Sequence, residues 1–465
     1  MSNQLTKADA ARKRAVGNPN NLFYALRTGG PVAWLSCIVM GLGNIVAGQY
    51  IKGLIFLAIE IFALYLIVMP FGCIERLKEV PALGDQLKEE IWNDDKGVYE
   101  YVMHDESWKL LLYGVIAIAI IGVLIFMWQV SVRSGNVARS IKKSGKKVNN
   151  FWQDIKDLFD KNIHKLLMSF PFVCLIVFTV IPLVYMICMA FTNYSSEGYH
   201  TAMFDWVGLK VFKRFFTTAS GSIGEQFWSV LGWTLVWAFF ATFLNFFLGT
   251  FVAMIINRPT TKLKGLWRTL FSFTIAVPQF VSLLVINTMF KDQGIVNTML
   301  FRNGFIAEPV KWLSDVGIAR VLVIVINLWV GIPYTIMQVT GILKNIPGDL
   351  YEAARIDGAN VVQQFMNITL PYMIFVMTPY IITSFTGNIN NFNVIYLLTG
   401  GGPTKVGNDA GQTDLLVTWL YKMSVDQQKY NIAAVIGIFT FIILAIVSLV
   451  TYRSTGSYKD EEGFK

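Results

Sequence analysis

The chain has 465 residues, of which 54% are hydrophobic and 15% charged, against about 25% charged in an ordinary soluble domain. Its mean hydropathy is +0.51, and the chain has more apolar residues than the cores of a soluble protein of this length would bury. A soluble fold is therefore excluded, and the apolar excess is expected to face lipid. The net charge of +9 indicates no nucleic-acid partner, because membrane proteins collect basic residues at the cytoplasmic ends of their segments.

The chain begins with a basic tail, residues 1–30, followed by a glycine-containing apolar run at 31–49. A re-entrant or interfacial hairpin at 31–49 would leave the tail in the cytoplasm, as the positive-inside rule favours. A ninth membrane crossing would place the tail outside. The charge pattern favours the hairpin, and the crossing stays open as its alternative.

Eight further apolar windows are each long enough to cross the roughly 30 Å of hydrocarbon in a bilayer. They lie near residues 53–72, 109–130, 166–191, 228–257, 269–290, 321–343, 372–398 and 430–452. Because lipid offers no hydrogen-bond partner to an open backbone, such spans must be helices. The predicted fold class is an all-α integral membrane protein with about eight transmembrane helices plus the N-terminal re-entrant or interfacial hairpin.

The charges of the connecting loops predict the orientation. Residues 131–165 hold nine bases against three acids, so this loop is expected in the cytoplasm. Residues 73–107 hold ten acids against four bases and are expected outside. Alternation of the eight spans then places both termini in the cytoplasm.

A patterned loop at residues 344–371 is predicted to be cytoplasmic as well. Pro347 near its start and Gly358 as a stop predict one short helix, and Asn360 with Gln363 resembles a capping box that starts a second helix. A surface helical hairpin that merely joins two spans would show the same spacing. The small residues in the loop favour close approach of a partner surface.

The string EAARIDGA at 352–359, followed by ITLP at 368–371, resembles the EAA loop of binding-protein-dependent ABC importer permeases. Further stretches resemble the maltodextrin-type, MalF-like sugar permeases of that family. They are AFTNYSS at 190–196, INLWVGIPY at 326–334, NINNFNVIYLLTGGGP at 388–403 and GQTDLLVTWLYK at 411–422. The resemblance implies a type I ABC importer permease core at 166–465, preceded by an N-terminal membrane region at 31–165.

The resemblance also implies partners. In the family the EAA loop contacts a cytoplasmic ATPase, which assigns ATPase coupling to Glu352, Ala353, Ala354 and Gly358. The expected assembly adds a second, MalG-like permease, two copies of the ABC ATPase subunit, and an extracellular solute-binding protein. The external segment 192–227 is short for a MalF-like chain, which favours a binding lipoprotein in the cytoplasmic membrane of a single-membrane bacterium.

The chain itself shows no nucleotide or metal site. The Walker A pattern needs GxxxxGK[ST], and the nearest string, SGKK at 144–147, lacks the leading glycine and the hydroxyl residue after lysine. Three histidines and four cysteines form no ligand motif. We therefore expect no cofactor in this chain and no enzymatic activity of its own, with ATP and Mg bound by the partner ATPase.

The late spans contain amides and hydroxyls but almost no charges, which suits a neutral sugar better than an ion or proton relay. Interhelical hydrogen bonding is the alternative role for each amide. The resemblance assigns substrate binding to Gln279, Asn327, Gly331, Tyr334, Ser384, Asn388 and Asn391. Ile275 and Gly387 stand where enteric maltose permeases have aromatic residues, and Gln279 where they have a hydroxyl residue, which indicates a related but different oligosaccharide.

The expected function is therefore that of a permease subunit of an ATP-driven importer for oligosaccharides, surrounded by membrane lipid. Two alternatives stay open, namely an ion-gradient-driven secondary transporter and a non-transporting membrane assembly protein. Glu60, the one clear acid inside an apolar window, is interpreted as a helix-packing acid, with a proton pathway as its alternative.

Overall fold

The computed structural model of the chain describes residues 26–27, 29–69, 72–84, 89–94, 96–102, 106–258 and 260–454. These residues form two compact units. The first runs up to Tyr194 and includes His200–Trp206, and the second comprises Ser195–Tyr199 and the chain from Val207 onward. The predicted tail at 1–30 lies almost entirely outside the described residues, and the predicted division at residue 166 stays a prediction.

Seven helices in the described residues are long and apolar enough to cross a membrane, and an eighth candidate is a pair of helices bent by 87°. All eight windows predicted from the sequence coincide with these seven helices and the bent pair. The predicted class, an all-α membrane protein with about eight spans, is therefore confirmed.

The first unit contains eight helices and one small sheet among its described residues. They are α1 (Pro31–Ile38), α2 (Leu42–Ala47), α3 (Tyr50–Val68), α4 (Cys73–Glu79), β1 (Glu89–Asn93), β2 (Val98–Val102), α5 (Ser107–Lys143), α6 (Phe151–Phe159), α7 (Ile163–Leu175) and α8 (Ile181–Met189). A single π turn, Ile176–Val180, joins α7 to α8. The strands β1 and β2 pair antiparallel within the loop predicted to be external.

The run at 31–49 forms a hairpin of two short helices, of 8 and 6 residues, and neither is long enough to cross the hydrocarbon. The chain turns at Gly41, whose φ of 81° lies in the left-handed region. The backbone N–H of Met40 donates to Glu60 Oε2 at 2.8 Å, and that of Gly41 donates to Ser131 Oγ at 2.8 Å. Glu60 thus has the partner that its helix-packing interpretation requires.

Two glycines allow α2 and α5 to meet backbone to backbone. A Cβ built at Gly135 would lie 2.9 Å from Gly43 Cα, and one built at Gly43 would lie 3.0 Å from Gly135 Cα. This contact explains one difference from the sequence prediction. The loop expected to begin at residue 131 begins only after Lys143, because α5 continues as a helix whose small residues pack against the hairpin.

The second unit is built around long helices. Its elements are α9 (Lys210–Arg214), α10 (Ile223–Asn257), α11 (Lys264–Ala276), α12 (Gln279–Met289), α13 (Ile295–Arg302), α14 (Val316–Leu343), α15 (Gly348–Ile356), α16 (Val361–Gln364), α17 (Leu370–Ile389), α18 (Phe392–Thr399), α19 (Leu416–Tyr421) and α20 (Tyr430–Ser454). Two π turns, Phe365–Thr369 and Lys422–Asp426, follow α16 and α19. Helix α10 packs against α14 and α17, and α12 packs against α18.

The core of the second unit lies along α10 and consists of two hydrophobic clusters. One surrounds Trp237 and includes Val323, Ile395 and Leu398; the other contains Phe246, Ile336, Val339, Met373 and Met377. All of these side chains are at most 3% exposed. Polar residues of α10 and α14 consequently lie between these two apolar clusters.

The window at 269–290 is not one straight helix. It is divided into α11 and α12, which are bent by 87° at a break of two residues. Val277 there has extended dihedral angles, because the residue before a proline is sterically disfavoured in the helical region, and Pro278 follows it. Gln279, a predicted site residue, is consequently the first residue of a new helix.

Substitution of Gly135 by alanine tests the contact between α2 and α5. The added methyl group meets backbone rather than a movable side chain, so we expect Gly135→Ala to destabilise the fold by about 1–3 kcal/mol. Gly122→Ala on the same helix has open space around its Cβ and gains the same helix propensity, so it is the matched control. Thermal unfolding in detergent measures both, and equal midpoints would contradict the close contact.

Candidate functional site

A line of polar residues, here called the polar seam, follows the contact of α10 with α14 and α17. It comprises Thr242, Asn245, Asn327, Gly331 and Asn388. A Cβ built at Gly331 would lie 2.4 to 2.7 Å from three atoms of the Asn245 amide, so the two residues are in close contact. Asn327 lies one turn before Gly331 on the same face of α14. Thr242 Oγ1 accepts a 3.0 Å hydrogen bond from Asn388 Nδ2.

Two amide atoms of the polar seam are buried and have no hydrogen-bond partner among the described residues. They are Asn327 Nδ2 and Asn245 Oδ1, on side chains 4% and 8% exposed. The other end of the Asn245 amide donates to the Ala241 carbonyl at 2.6 Å. An unpaired buried polar atom costs about 1–3 kcal/mol, so each one in a native structure needs a physical explanation. One of these atoms is a hydrogen-bond donor and the other an acceptor, and both are closed off from solvent.

Asn388 near the end of α17 and Asn391 at the start of α18 both form structural hydrogen bonds. The indole N–H of Trp237 donates to the Asn388 carbonyl at 3.0 Å. Asn391 Oδ1 accepts from the Val394 N–H at 3.3 Å and so caps α18, while Asn391 Nδ2 lies 3.5 Å from Asn388 Oδ1. Three of the seven predicted substrate-binding residues, Asn327, Gly331 and Asn388, therefore belong to the polar seam, and a fourth, Asn391, lies beside it.

The other three predicted residues are Tyr334 on α14, Ser384 on α17 and Gln279 on α12. Tyr334 follows Gly331 on α14 and is 47% exposed, and Ser384 lies one turn before Asn388 on α17. In the described residues no hydrogen bond links the side chain of Gln279 to the polar seam. Assignment of all seven residues to substrate binding stays a prediction.

Not every amide in the late spans belongs to the polar seam. Asn287 Nδ2 donates to the Leu398 carbonyl at 2.6 Å, which joins α12 to α18. This is the interhelical hydrogen bond that the packing alternative requires. The structure thus separates amides that connect helices from amides with unpaired atoms.

The EAA hairpin, residues Gly348–Thr369, forms as the sequence predicts. Helix α15 begins after Pro347, and Gly358 follows its end with a φ of 80°, a conformation that favours glycine. The Gln363 N–H donates to Asn360 Oδ1 at 2.9 Å, and the Asn360 N–H donates to Gln363 Oε1 at 2.8 Å. The predicted capping box is therefore confirmed.

The motif side chains of the EAA hairpin are accessible. Glu352 and Ala353 are exposed and Ala354 is half-buried. Two apolar neighbours are exposed as well, Ile356 at 86% and Val362 at 69%. On the inner side a 2.8 Å hydrogen bond joins the hydroxyls of Tyr351 and Thr369 and fixes α15 to the π turn before α17.

An ion-pair cluster lies at the start of α20, where sequence reasoning had singled out no residue. Lys429 Nζ lies 3.1 Å from Glu197 Oε1 and 3.0 Å from Asp409 Oδ2, and Arg214 lies 3.4 Å from Glu197 Oε2. Burial by itself raises the pKa of Glu197, but the hydrogen bond and charge of Lys429, helped by Arg214, lower it below its usual range. With Gln226, the two acids and Arg214 line a cleft of about 380 Å³.

The glycine-rich string after α18 serves a structural purpose. A Cβ built at Gly401 would lie 1.8 Å from Asp414 Oδ1, so no larger residue fits there. Asp414 is fully buried and accepts hydrogen bonds from the Gly411 N–H at 2.7 Å, Thr418 Oγ1 at 2.8 Å and Lys422 Nζ at 2.7 Å. Burial raises the pKa of Asp414, and Lys422 opposes that effect.

Comparison with known proteins extends these observations. Residues 245–455 match the family described as "Binding-protein-dependent transport system inner membrane component". The Galactooligosaccharides transport system permease protein GanP of Bacillus subtilis (strain 168) is 34% identical over 440 residues, which cover 92% of this chain and 99% of that protein. The chain belongs to the binding-protein-dependent transport permeases. It is accordingly a multi-pass membrane protein.

Other relatives match this permease over different lengths of the chain. The Maltodextrin transport system permease protein MdxF of the same organism is 35% identical over 92% of the chain and 97% of that protein. The Maltose/maltodextrin transport system permease protein MalF of Salmonella typhimurium is 36% identical over 56% of the chain and 50% of that protein. A solved bacterial ABC transporter involved in alginate import has the same fold, with a TM-score of 0.54 at 22% identity over 65% of this chain and 96% of the matched chain.

Two seam residues of this permease, Thr242 and Asn245, were not among the predicted site residues. The signal for them was present, since each is a polar residue inside the apolar window at 228–257. They lie three residues apart and therefore on one face of α10. What the sequence does not show is that this face meets Gly331 and Asn388.

The contact of Gly331 with Asn245 can be tested by a double-mutant cycle. Gly331→Ala places a methyl group on the Asn245 amide, and we expect it to lower the free energy of unfolding by about 1–3 kcal/mol. Asn245→Ala should restore part of that loss, because it removes the side chain that the methyl group meets. Gly341→Ala, with open space on the same helix, is the control. Additive effects of the two seam substitutions in thermal unfolding would contradict the contact.

Proposed function

We propose that the chain is a transmembrane subunit of an ATP-driven ABC importer that carries oligosaccharides, of the maltodextrin type, through a path along the polar seam. Its relatives GanP and MdxF are named for galactooligosaccharide and maltodextrin transport and match it over nearly their whole length. The substrate class is carried over from those names, and the seam supplies the chemistry for it.

The observation that carries this proposal is the pair of unpaired amide atoms, one a donor and the other an acceptor. Sugar hydroxyls both donate and accept hydrogen bonds, so a single ligand can complete Asn327 Nδ2 and Asn245 Oδ1 together. The five seam residues carry no ionisable side chain. Coupling to protons or sodium calls for buried carboxylates or histidines, which disfavours the secondary-transporter alternative.

Energy is proposed to enter through the EAA hairpin from a partner ATPase, present in two copies, which binds ATP and Mg. Glu352 offers a charge, and Ile356 and Val362 offer exposed apolar area beside it. Exposed apolar area next to a polar rim is typical of a protein interface. The remaining proposed partners are a second, MalG-like permease and an extracellular solute-binding lipoprotein, in the cytoplasmic membrane of a bacterium with both termini of this chain in the cytoplasm.

The charge reversal Glu352→Lys tests the coupling role. We expect the variant to insert and assemble normally, because the side chain is exposed, but to lose ATP hydrolysis stimulated by the loaded binding protein in reconstituted vesicles. Glu308→Lys makes the same charge change at an exposed residue outside the hairpin and should keep the stimulation.

Normal stimulation by the Glu352→Lys complex would refute the coupling role. Two further measurements address the alternatives. Uptake that stops when ion gradients are dissipated while ATP is maintained would identify a secondary transporter. Purification without any ATPase partner, together with absence of uptake, would support an assembly protein.

Removal of one amide in the polar seam and one beside it tests the substrate path. Asn327→Ala combined with Asn391→Ser removes two candidate sugar contacts, and the serine retains an oxygen that can cap α18. At about 0.5–1.5 kcal/mol for each lost hydrogen bond, we expect the apparent KM for sugar uptake to rise about 5- to 140-fold without loss of assembly.

Asn287→Ala is the matched comparison, because it removes an amide that connects two helices. That variant should lower the thermal unfolding midpoint and leave the apparent KM near the wild-type value. If the seam variant behaves in the same way, Asn327 and Asn391 are packing residues and the proposed path is wrong.

A further inference from the structure

A second cleft of the second unit, of about 580 Å³, lies between the ends of α10, α11 and α14 and the EAA hairpin. Five basic side chains line it, contributed by all four of these elements or the residues that follow them. They are Arg258, Lys264, Arg268, Lys344 and Arg355. The described residues that line the cleft include no carboxylate, so its charge is of one sign.

This charge is not neutralised within the described part of the chain. None of the five basic side chains forms an ion pair with a described acid, whereas Lys52, Lys422 and Lys429 elsewhere do. The Arg268 guanidinium donates to the Asn257 side-chain oxygen, and Lys264 Nζ lies 3.4 Å from the Asn257 carbonyl.

Both of these partners are neutral, and Arg268 Nε is buried with no hydrogen-bond partner among the described residues. Like charges held close together without a counter-charge repel one another. The cleft is therefore suited to an anion that accepts several hydrogen bonds.

The remaining lining indicates which kind of anion fits. Met254, Leu343, Val361 and Phe365 give the cleft apolar walls, and Tyr351 and Gln364 add polar groups. The cleft opens where α10 ends at Asn257 and α14 at Leu343, and both helices are longer than the roughly 20 residues that cross the hydrocarbon, so their ends project beyond it. An amphiphilic anion matches this combination better than a small inorganic ion.

We propose that this cleft binds the phosphate of an anionic ligand, in the form of an anionic phospholipid headgroup with its glycerol end on the apolar wall. Basic pockets between membrane helices recognise such headgroups, and each Lys or Arg near the surface contributes about 1 kcal/mol. The bound phosphate joins Arg355 of the EAA hairpin to Arg258 and Lys344 at the helix ends. The lipid thereby helps to fix the hairpin against the spans. This proposal does not depend on the transported substrate.

The test uses the full chain in phosphatidylcholine nanodiscs with increasing phosphatidylglycerol, and native mass spectrometry counts the phosphatidylglycerol that stays bound. We expect one tightly held molecule per wild-type chain. Arg268→Gln with Lys344→Gln should weaken its apparent affinity by about fivefold for each charge removed.

Lys262→Gln with Arg453→Gln removes two exposed charges that do not line the cleft, and this control should bind as the wild type does. Arg258→Gln with Arg355→Gln, both at exposed residues, repeats the measurement in case the Arg268 variant folds poorly.

Excess inorganic phosphate distinguishes a lipid headgroup from free phosphate as the anion that the cleft binds. If phosphate fails to displace phosphatidylglycerol, the lipid assignment holds. If phosphate displaces it from the wild type and binds the cleft variants more weakly, the cleft is a phosphate site but the lipid assignment is wrong. Equal phosphatidylglycerol affinity in the cleft variants and the control overturns the proposal.

Discussion

A polar group inside a hydrocarbon environment must find its partner within the protein, and this constraint organises both units of the chain. In the first unit the turn at Gly41 is possible in an apolar region because Glu60 and Ser131 accept its backbone N–H groups. In the second unit Thr242 and Asn388 pair across two helices. Where the constraint is met, the polar residues connect helices.

The constraint is not met everywhere among the described residues, and two of the exceptions lie in the polar seam. The unpaired amide atoms of the polar seam belong to two helices in direct contact, whereas the amide of Asn287 is paired with the Leu398 carbonyl. The basic cleft differs in the same way from the ion-pair cluster at Lys429, because its charges have no described counter-charge. The proposed sites and the structural contacts thus involve the same residue types and differ in whether a described partner is present.

The sequence predicts those features that depend on composition or on local rules. Every membrane window was found because apolar length is a local property, and the capping box at Asn360 because its residues are three apart. The bend at Pro278 could have been anticipated from the proline. The pairing of Asn245 with Gly331 could not, because it depends on which faces of two distant helices meet. The basic cleft is likewise assembled from four separate segments.

The two unpaired seam atoms affect the equilibrium between a dry conformation and a hydrated or sugar-bound one. At about 1–3 kcal/mol each, they raise the free energy of the dry arrangement by roughly 2–6 kcal/mol, and every 1.4 kcal/mol is a factor of ten in population. A conformation in which water or sugar reaches both atoms is favoured by this term alone by at least about thirtyfold. The same helix contact that closes the proposed path therefore supplies a bias toward opening it.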